Sequence, residues 1–282
     1  MTSDRDETQK LIDGIKIPPA PFIVTKLQEE LQKDDPILAD VANIVAQDVA
    51  ISALVLRTVN SAFFGLRVKV NSIQQATSLL GIHNTLNIVT GLALRRTFET
   101  SGTASPPNFW DSPANVAMVS AKIAKVIGGV PQDEAYMLGL FHNAGHGLLM
   151  QKFSDYPAFL QENLNSVRGV ITDLEEQQYN TNHAVLGYFL ARSWGLERDI
   201  VEIIRDHHNA VEKLTENGGK VTKEGSLLAI LKMAEHIDKL FWSITPDHEW
   251  EQGKEVILGY VGMSEPDFDD LRDDMSDMLI SG

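Results

Sequence analysis

The chain has 282 residues, a length suited to one large or two ordinary domains, and its 43% hydrophobic and 22% charged residues place it among globular rather than disordered sequences. Lys and Arg number 24 against 39 Asp and Glu, and the formal charge of −15 repels duplex phosphate, which argues against a nonspecific nucleic-acid binder. No cysteine is present, which excludes disulfides, thiolate zinc sites and thiol nucleophiles together; a metal would have to be held by His and carboxylate. The first ten residues are polar and charged, without the apolar core of a signal peptide, and no segment approaches the roughly 18–20 apolar residues that span a bilayer. The expected compartment is the cytoplasm, with no membrane association.

In chain order, the punctuated segments read as helices. Residues 34–46 place Ile37, Val41, Ile44 and Val45 on one face. Asp48 is an N-cap for a helix with Ile51, Leu54, Val55 and Val59 as its stripe. Ser72 and Gln75 form a capping box ahead of Ile73, Ala76, Leu79 and Leu80, with Gly81 as a stop. Residues 86–98 are apolar on more than one face, the pattern of an interior helix. Residues 100–108, TSGTASPPN, read as a linker. Ser112-Pro113 then has the form of a helix start, with Ser as N-cap, and Val116, Val119, Ile123, Val126 and Ile127 line one side as far as Gly128-Gly129.

A further apolar helix leads to Phe141-His142-Asn143. Thr172 and Glu175 form another capping box, Asn182 caps residues 183–194, and residues 197–208 follow directly. A loop over 215–226 carries three glycines, and 227–241 is helical again. In the acidic tail, Phe268, Leu271, Met275 and Met278 are spaced as a docking stripe. The one extended-looking piece, 66–70, is too short to found a sheet, so the expected class is all-α.

Four of the eight histidines form a constellation: His142, His183, His207 and His208. His183 opens one predicted helix and His207-His208 close the next, so a compact helix–turn–helix brings both ends to one region. His207 shares a face with Ile200 and Ile204. An imidazole facing a core is either hydrogen-bonded or metal-bound, because an unpaired buried polar group costs about 1–3 kcal/mol. Asp206 and Glu235 are the carboxylates near enough in sequence to join.

Several of these segments resemble one family. Ile17-Pro18-Pro19-Ala20-Pro21, Gln47-Asp48-Val49-Ala50, Leu56-Arg57-Thr58-Val59-Asn60-Ser61-Ala62, Ile73-Gln74-Gln75-Ala76 and Leu79-Leu80-Gly81 are similar to the front half of an HDOD domain, an output domain related to the HD metal-dependent phosphohydrolases. The resemblance continues through Phe141-His142-Asn143, His183-Ala184-Val185-Leu186-Gly187, Trp194-Gly195-Leu196 and His207-His208, covering about residues 15–240. It implies a compact multi-helix HD-like bundle with an N-terminal helical subdomain. The corresponding boundaries are 1–100 for the N-terminal helical part, 109–245 for the HD-like part and 246–282 for an acidic helical extension.

HD hydrolases hold metal with a His on one helix, a His-Asp pair on a later helix and an Asp further on; multinuclear relatives add another His and a His-His pair. Matched motif by motif, the first His falls on Ser112, the pair on His142 and Asn143, and the late Asp near Glu235. The additional imidazoles match His183, His207 and His208. A carboxylate can bridge two cations where the amide of Asn143 cannot, so a hydroxide-generating binuclear centre is not expected. A single divalent ion, Zn, Fe, Ni or Mn, on His142, His183, His207, His208 and Glu235 is compatible with these donors.

The implied function is a noncatalytic signal-transduction module acting on signaling proteins in trans, with residues 60–65 as a candidate contact patch. The alternative is a metal-dependent phosphohydrolase, a nucleotide or cyclic-dinucleotide phosphodiesterase, with an altered ligand set. Nucleic-acid binding rests only on Arg95-Arg96.

Overall fold

The computed structural model describes residues 14–61, 66, 68–99, 105–106, 109–164 and 170–281, with the side chains of 217 and 281 excepted. Among the described residues every regular element is helical and no strand forms. Most of the expected linker 100–108 and residues 62–65 of the candidate patch lie outside them. No single helix is long and apolar enough to cross a membrane.

The chain divides into two compact units. The smaller comprises residues 19–100 and 274–282. In it, α1 (Phe22–Leu31), α2 (Leu38–Ala46) and α3 (Val49–Val59) each pack on α4 (Ile73–Glu99). Asp48 caps α3 as expected, its carboxylate accepting from the Ile51 N–H. Gly81 stops a helix as expected: with φ +75° it interrupts α4, ending one helical run before a second begins at once, a positive-φ conformation glycine adopts without a Cβ penalty. The second run is the expected interior helix, with Ile88, Val89, Ala93, Leu94 and Phe98 buried. Asn60 clasps the backbone of Val70, accepting its N–H at 2.8 Å and donating to its carbonyl at 2.8 Å.

The larger unit comprises residues 1–18 and 101–273. α5 (Asp111–Ile127) packs along α6 (Gln132–Phe141) and against α13 (Lys223–Phe241). Then come α7 (Gly145–Lys152), α8 (Tyr156–Asn163), α9 (Ile171–Tyr179), α10 (His183–Ser193) and α11 (Arg198–Asp206), a 3₁₀ turn at His207–Asn209 and the short α12 (Ala210–Thr215). α14 (His248–Val261) covers α12 and α13, and α15 (Glu265–Ser281) ends the chain. The organising element is α13: every residue from Leu227 to Asp238 is buried. A helix buried all round has no solvated face for its ionisable groups, so Lys232, Glu235, His236 and Asp238 must find partners inside.

Several local expectations need correction. α5 starts one residue before Ser112, whose hydroxyl does not cap it but donates to Asp238 Oδ2 at 2.5 Å. The Thr172–Glu175 capping box does not form; α9 starts at Ile171, and Glu175 is buried and bonded to His183. In both cases a long-range buried partner outcompetes a local cap. Ile37, Leu79 and Val126 are exposed rather than part of their stripes, and in α15 Leu279 takes the buried place expected of Met278. Asn182 caps α10 as expected, accepting from the Val185 N–H.

The approach of α7 to α10 depends on Gly145. A Cβ there would lie 1.9 Å from the His183 carbonyl oxygen and 2.7 Å from the Gly187 nitrogen, both backbone atoms that cannot swing aside. Gly145→Ala is expected to push the helices apart and cost about 1–3 kcal/mol, seen as a melting temperature lower by several degrees; an unchanged melting curve would contradict this packing.

Candidate metal centre

Helix ends build the site. A helix leaves its last carbonyls without intrahelical donors, and two histidines use this in the same way. His142, directly after α6, donates from Nδ1 to the Gly139 carbonyl at 2.7 Å; His207, directly after α11, donates from Nδ1 to the Ile204 carbonyl at 2.7 Å. A carbonyl only accepts, so both rings carry their proton on Nδ1 and present a bare Nε2. Both Nε2 atoms are buried without a hydrogen-bond partner.

Carboxylates fix the other two rings. His183, the first residue of α10, donates from both its backbone N–H (2.8 Å) and Nδ1 (2.7 Å) to Glu175 Oε2. His208 donates from Nδ1 to Glu249 Oε1 at 3.0 Å. Their two Nε2 atoms then face each other at 3.0 Å, lone pair against lone pair. Such a contact is repulsive unless a cation or a proton lies between them. The donor atoms of His183, His207 and His208 all lie within 4.8 Å of one another.

Of the sequence-predicted residues, these three histidines therefore form one cluster. His142 adjoins it, its ring edge-on to His207 at 5.5 Å and its Nε2 3.5 Å from Glu235 Oε1. Glu235 is neutralised elsewhere: the buried Lys232 ammonium lies 2.7 Å from its Oε2 and 2.9 Å from Glu249 Oε1. Ser112 is held by Asp238, which also accepts from Asn115 (2.9 Å) and from the Trp242 indole (3.1 Å). Asn143 lines cavities on the near side.

Sequence reasoning missed His146, Glu175, Lys232 and Glu249. His146 stacks on His183 at 3.9 Å between centroids and donates from Nδ1 to the Tyr156 hydroxyl at 2.5 Å; that hydroxyl in turn donates to Glu175. His146, Glu175 and His183 form a second group of possible ligands, but Glu175 is already engaged in holding rings in place. The four-residue spacing of His142 and His146 was the available signal for one of them.

Burial dominates the electrostatics. It pushes His142 down to about 4, against an opposing pull from Glu235, and His146 down to about 3. Burial, reinforced by neighbouring imidazoles, takes His207 well below its ordinary value. Burial would raise Glu175, but His183 and His146 outweigh it and hold its carboxyl below the ordinary range. Burial pushes Asp238 up to about 6 despite its three donors. Around the four rings stand the carboxylates of Glu175, Glu235 and Glu249, with Lys232 between the last two and the Lys239 ammonium 3.9 Å from Glu249.

The donors thus fit one ion. Bare Nε2 atoms of His183, His207 and His208 would hold it, with His142 beside them, and bonds from each Nδ1 would orient the rings and raise their basicity. The donors do not fit the two-metal centre of HD hydrolases. At the position of its first imidazole, Ser112 is bonded to Asp238; at the bridging carboxylate stands a neutral amide; and Glu235 is already paired with a lysine.

The sequence profile of the HDOD domain matches residues 17–210. The chain belongs to the HDOD family. An uncharacterized protein of Treponema pallidum (strain Nichols) is 25% identical over 195 residues, which are 68% of this HDOD chain and 38% of that protein, so the match spans well under half of the curated relative. Three solved structures share the fold. An HDOD domain protein of unknown function from Geobacter sulfurreducens has a TM-score of 0.71 at 19% identity, over 99% of this chain and 96% of that one. A Shewanella amazonensis SB2B protein, provisionally named a phosphohydrolase, gives 0.71 at 23% identity over 96% and 93%. A Marinobacter aquaeolei VT8 protein, provisionally named a signal transduction protein, gives 0.70 at 18% identity over 99% and 64%.

The depressed imidazoles have a consequence for the metal-free protein. The unfolded chain takes up protons on these rings from about pH 6.5 downward, whereas folded His142 resists protonation until about 4. At these rings the unfolded state therefore binds more protons in that window and stability falls as pH falls; Asp238, raised to about 6, acts in the opposite sense but is one group against the imidazoles of His142, His146 and His207. Thermal unfolding in chelator between pH 7.5 and 4.5 is expected to show a falling midpoint, flattened in His142→Gln; a flat wild-type profile would refute the assignment.

Proposed function

We propose that this HDOD chain is a noncatalytic signal-transduction module whose histidine cluster holds one divalent ion, Zn, Fe, Ni or Mn, and which acts on partner proteins in trans in the cytoplasm. The observation that carries this reading is the pairing of Ser112 with Asp238 and of Glu235 with Lys232. That hydrogen bond and that ion pair engage two of the groups from which a second cation site would be built, while the Nε2 atoms of His142 and His207 have no partner. When bound, the ion would supply charge and rigidity, joining the ends of α10 and α11. The chain's own groups do the rest: Glu175 and Glu249 orient His183 and His208, and Lys232 neutralises the carboxylate that would otherwise compete for the ion.

The imidazole cluster itself favours the rival reading, a metal-dependent phosphohydrolase, and the provisional name of the Shewanella fold relative lends it some weight. That chemistry requires a cation to polarise phosphate and lower the pKa of bound water. An anionic bridge that would set two cations in place is lacking at Asn143.

The two readings separate in one preparation. Protein purified without a histidine tag is expected to retain at most one equivalent of transition metal, to lose it in His207→Ala, and to hydrolyse neither bis(p-nitrophenyl) phosphate nor cyclic dinucleotides with added Mn²⁺. Turnover that disappears in His142→Ala would overturn the proposal. Glu175→Gln, which weakens the bond orienting His183, is expected to reduce metal affinity by about 10–100-fold, measured by competition with a chelating dye.

A further inference from the structure

Beside the histidine cluster lies a cavity of about 660 Å³, within the range of small-molecule sites of roughly 300–1,000 Å³. Its walls are apolar and aromatic, with Phe109, Leu160, Leu164, Trp242 and Ile244 among them. Among the described residues that line it there is no Asp, Glu, Lys or Arg; its polar groups are the amides of Asn143 and Gln161, two serine hydroxyls and the His146 ring. This composition is wrong for a nucleotide. A phosphate brought here would meet no cation among the described lining residues, which disfavours it.

The wall is also built rather than incidental. Asp238 accepts from both Ser112 and the Trp242 indole, so the group that holds the altered ligand position also fixes the ring that lines the cavity. Phe109, also in the lining, meets the His146 ring edge-on at 5.9 Å and so touches the Tyr156–Glu175–His183 chain.

We infer that this cavity binds an uncharged, largely apolar, ring-bearing small molecule with few hydrogen-bonding groups, the lining amides of Asn143 and Gln161 being the complementary groups. The inference rests on the regulatory reading above and gives its input a chemical class. Occupancy would be felt at His146, and through it at His183.

A matched pair of fluorescent probes tests the charge rule. N-phenyl-1-naphthylamine is neutral, apolar and carries one N–H; anilinonaphthalene sulfonate has the same rings with an added anionic group. With the full chain, the neutral probe is expected to bind one per chain, with energy transfer from tryptophan reduced in Trp242→Phe. The sulfonate is expected to bind at least about tenfold more weakly, equivalent to about 1.4 kcal/mol. Ala158 is exposed on α8 and lines the cavity, so Ala158→Trp fills the space without disturbing the core and is expected to weaken the neutral probe about tenfold. Equal or tighter sulfonate binding, or an Ala158→Trp protein that binds as wild type, would overturn the inference. Displacement of the probe by a cyclic dinucleotide would overturn the ligand class as well; the turnover assay on the same sample then decides separately whether the noncatalytic reading survives.

Discussion

Three buried imidazoles and the half-buried His208, each with its Nδ1 proton already given to a carbonyl or carboxylate, impose the constraint from which the larger unit's chemistry follows. A neutral ring fixed in that way has one remaining group, a lone pair on Nε2, and at His142 and His207 burial denies it water. At His183 and His208 two such lone pairs meet at 3.0 Å. Electrostatics in a low-dielectric interior makes this arrangement costly by itself and favourable around a cation.

The same economy supports the proposal that the site is not a hydrolytic one. α13 is buried all round, so its charged groups must be paired within the fold whether or not an ion is bound. Lys232 pairs Glu235 and Glu249; Asp238 gathers Ser112, Asn115 and Trp242. These contacts pair buried charges with protein groups, and two of them, Ser112 with Asp238 and Glu235 with Lys232, engage positions matched to the two-metal ligand set. The fold shared with provisionally named phosphohydrolases is thus compatible with a different use of its centre.

The helices were legible because their signals are local. Asp48 and Asn182 read correctly as caps, and the stripe from Val116 to Ile123 read correctly as a buried face, because spacing of 3.6 residues and a capping oxygen act within one turn. Ser112 and Glu175 show where that logic fails. Both carried plausible capping patterns, and both are engaged by partners far along the chain or across a turn, Asp238 and His183, which no local window contains. His183, His207 and His208 could be grouped from sequence because two adjoining helices place them at neighbouring ends. His146, Lys232 and Glu249 could not: their roles come from α7, α13 and α14 packing around those ends, and a lone lysine inside an apolar run reads as a solvated residue until the whole helix is known to be buried. Gly145 is similar, its meaning fixed only by the carbonyl of His183 opposite.

The central claim is a single ion held by nitrogen. X-ray absorption spectroscopy of the protein loaded with one equivalent of zinc tests it most directly. The account predicts a shell of at least three imidazole nitrogens at about 2.0–2.1 Å and no metal–metal scattering at the ~3.5–4 Å separation of two-metal sites. An oxygen-dominated shell, or a clear metal–metal vector, would contradict it.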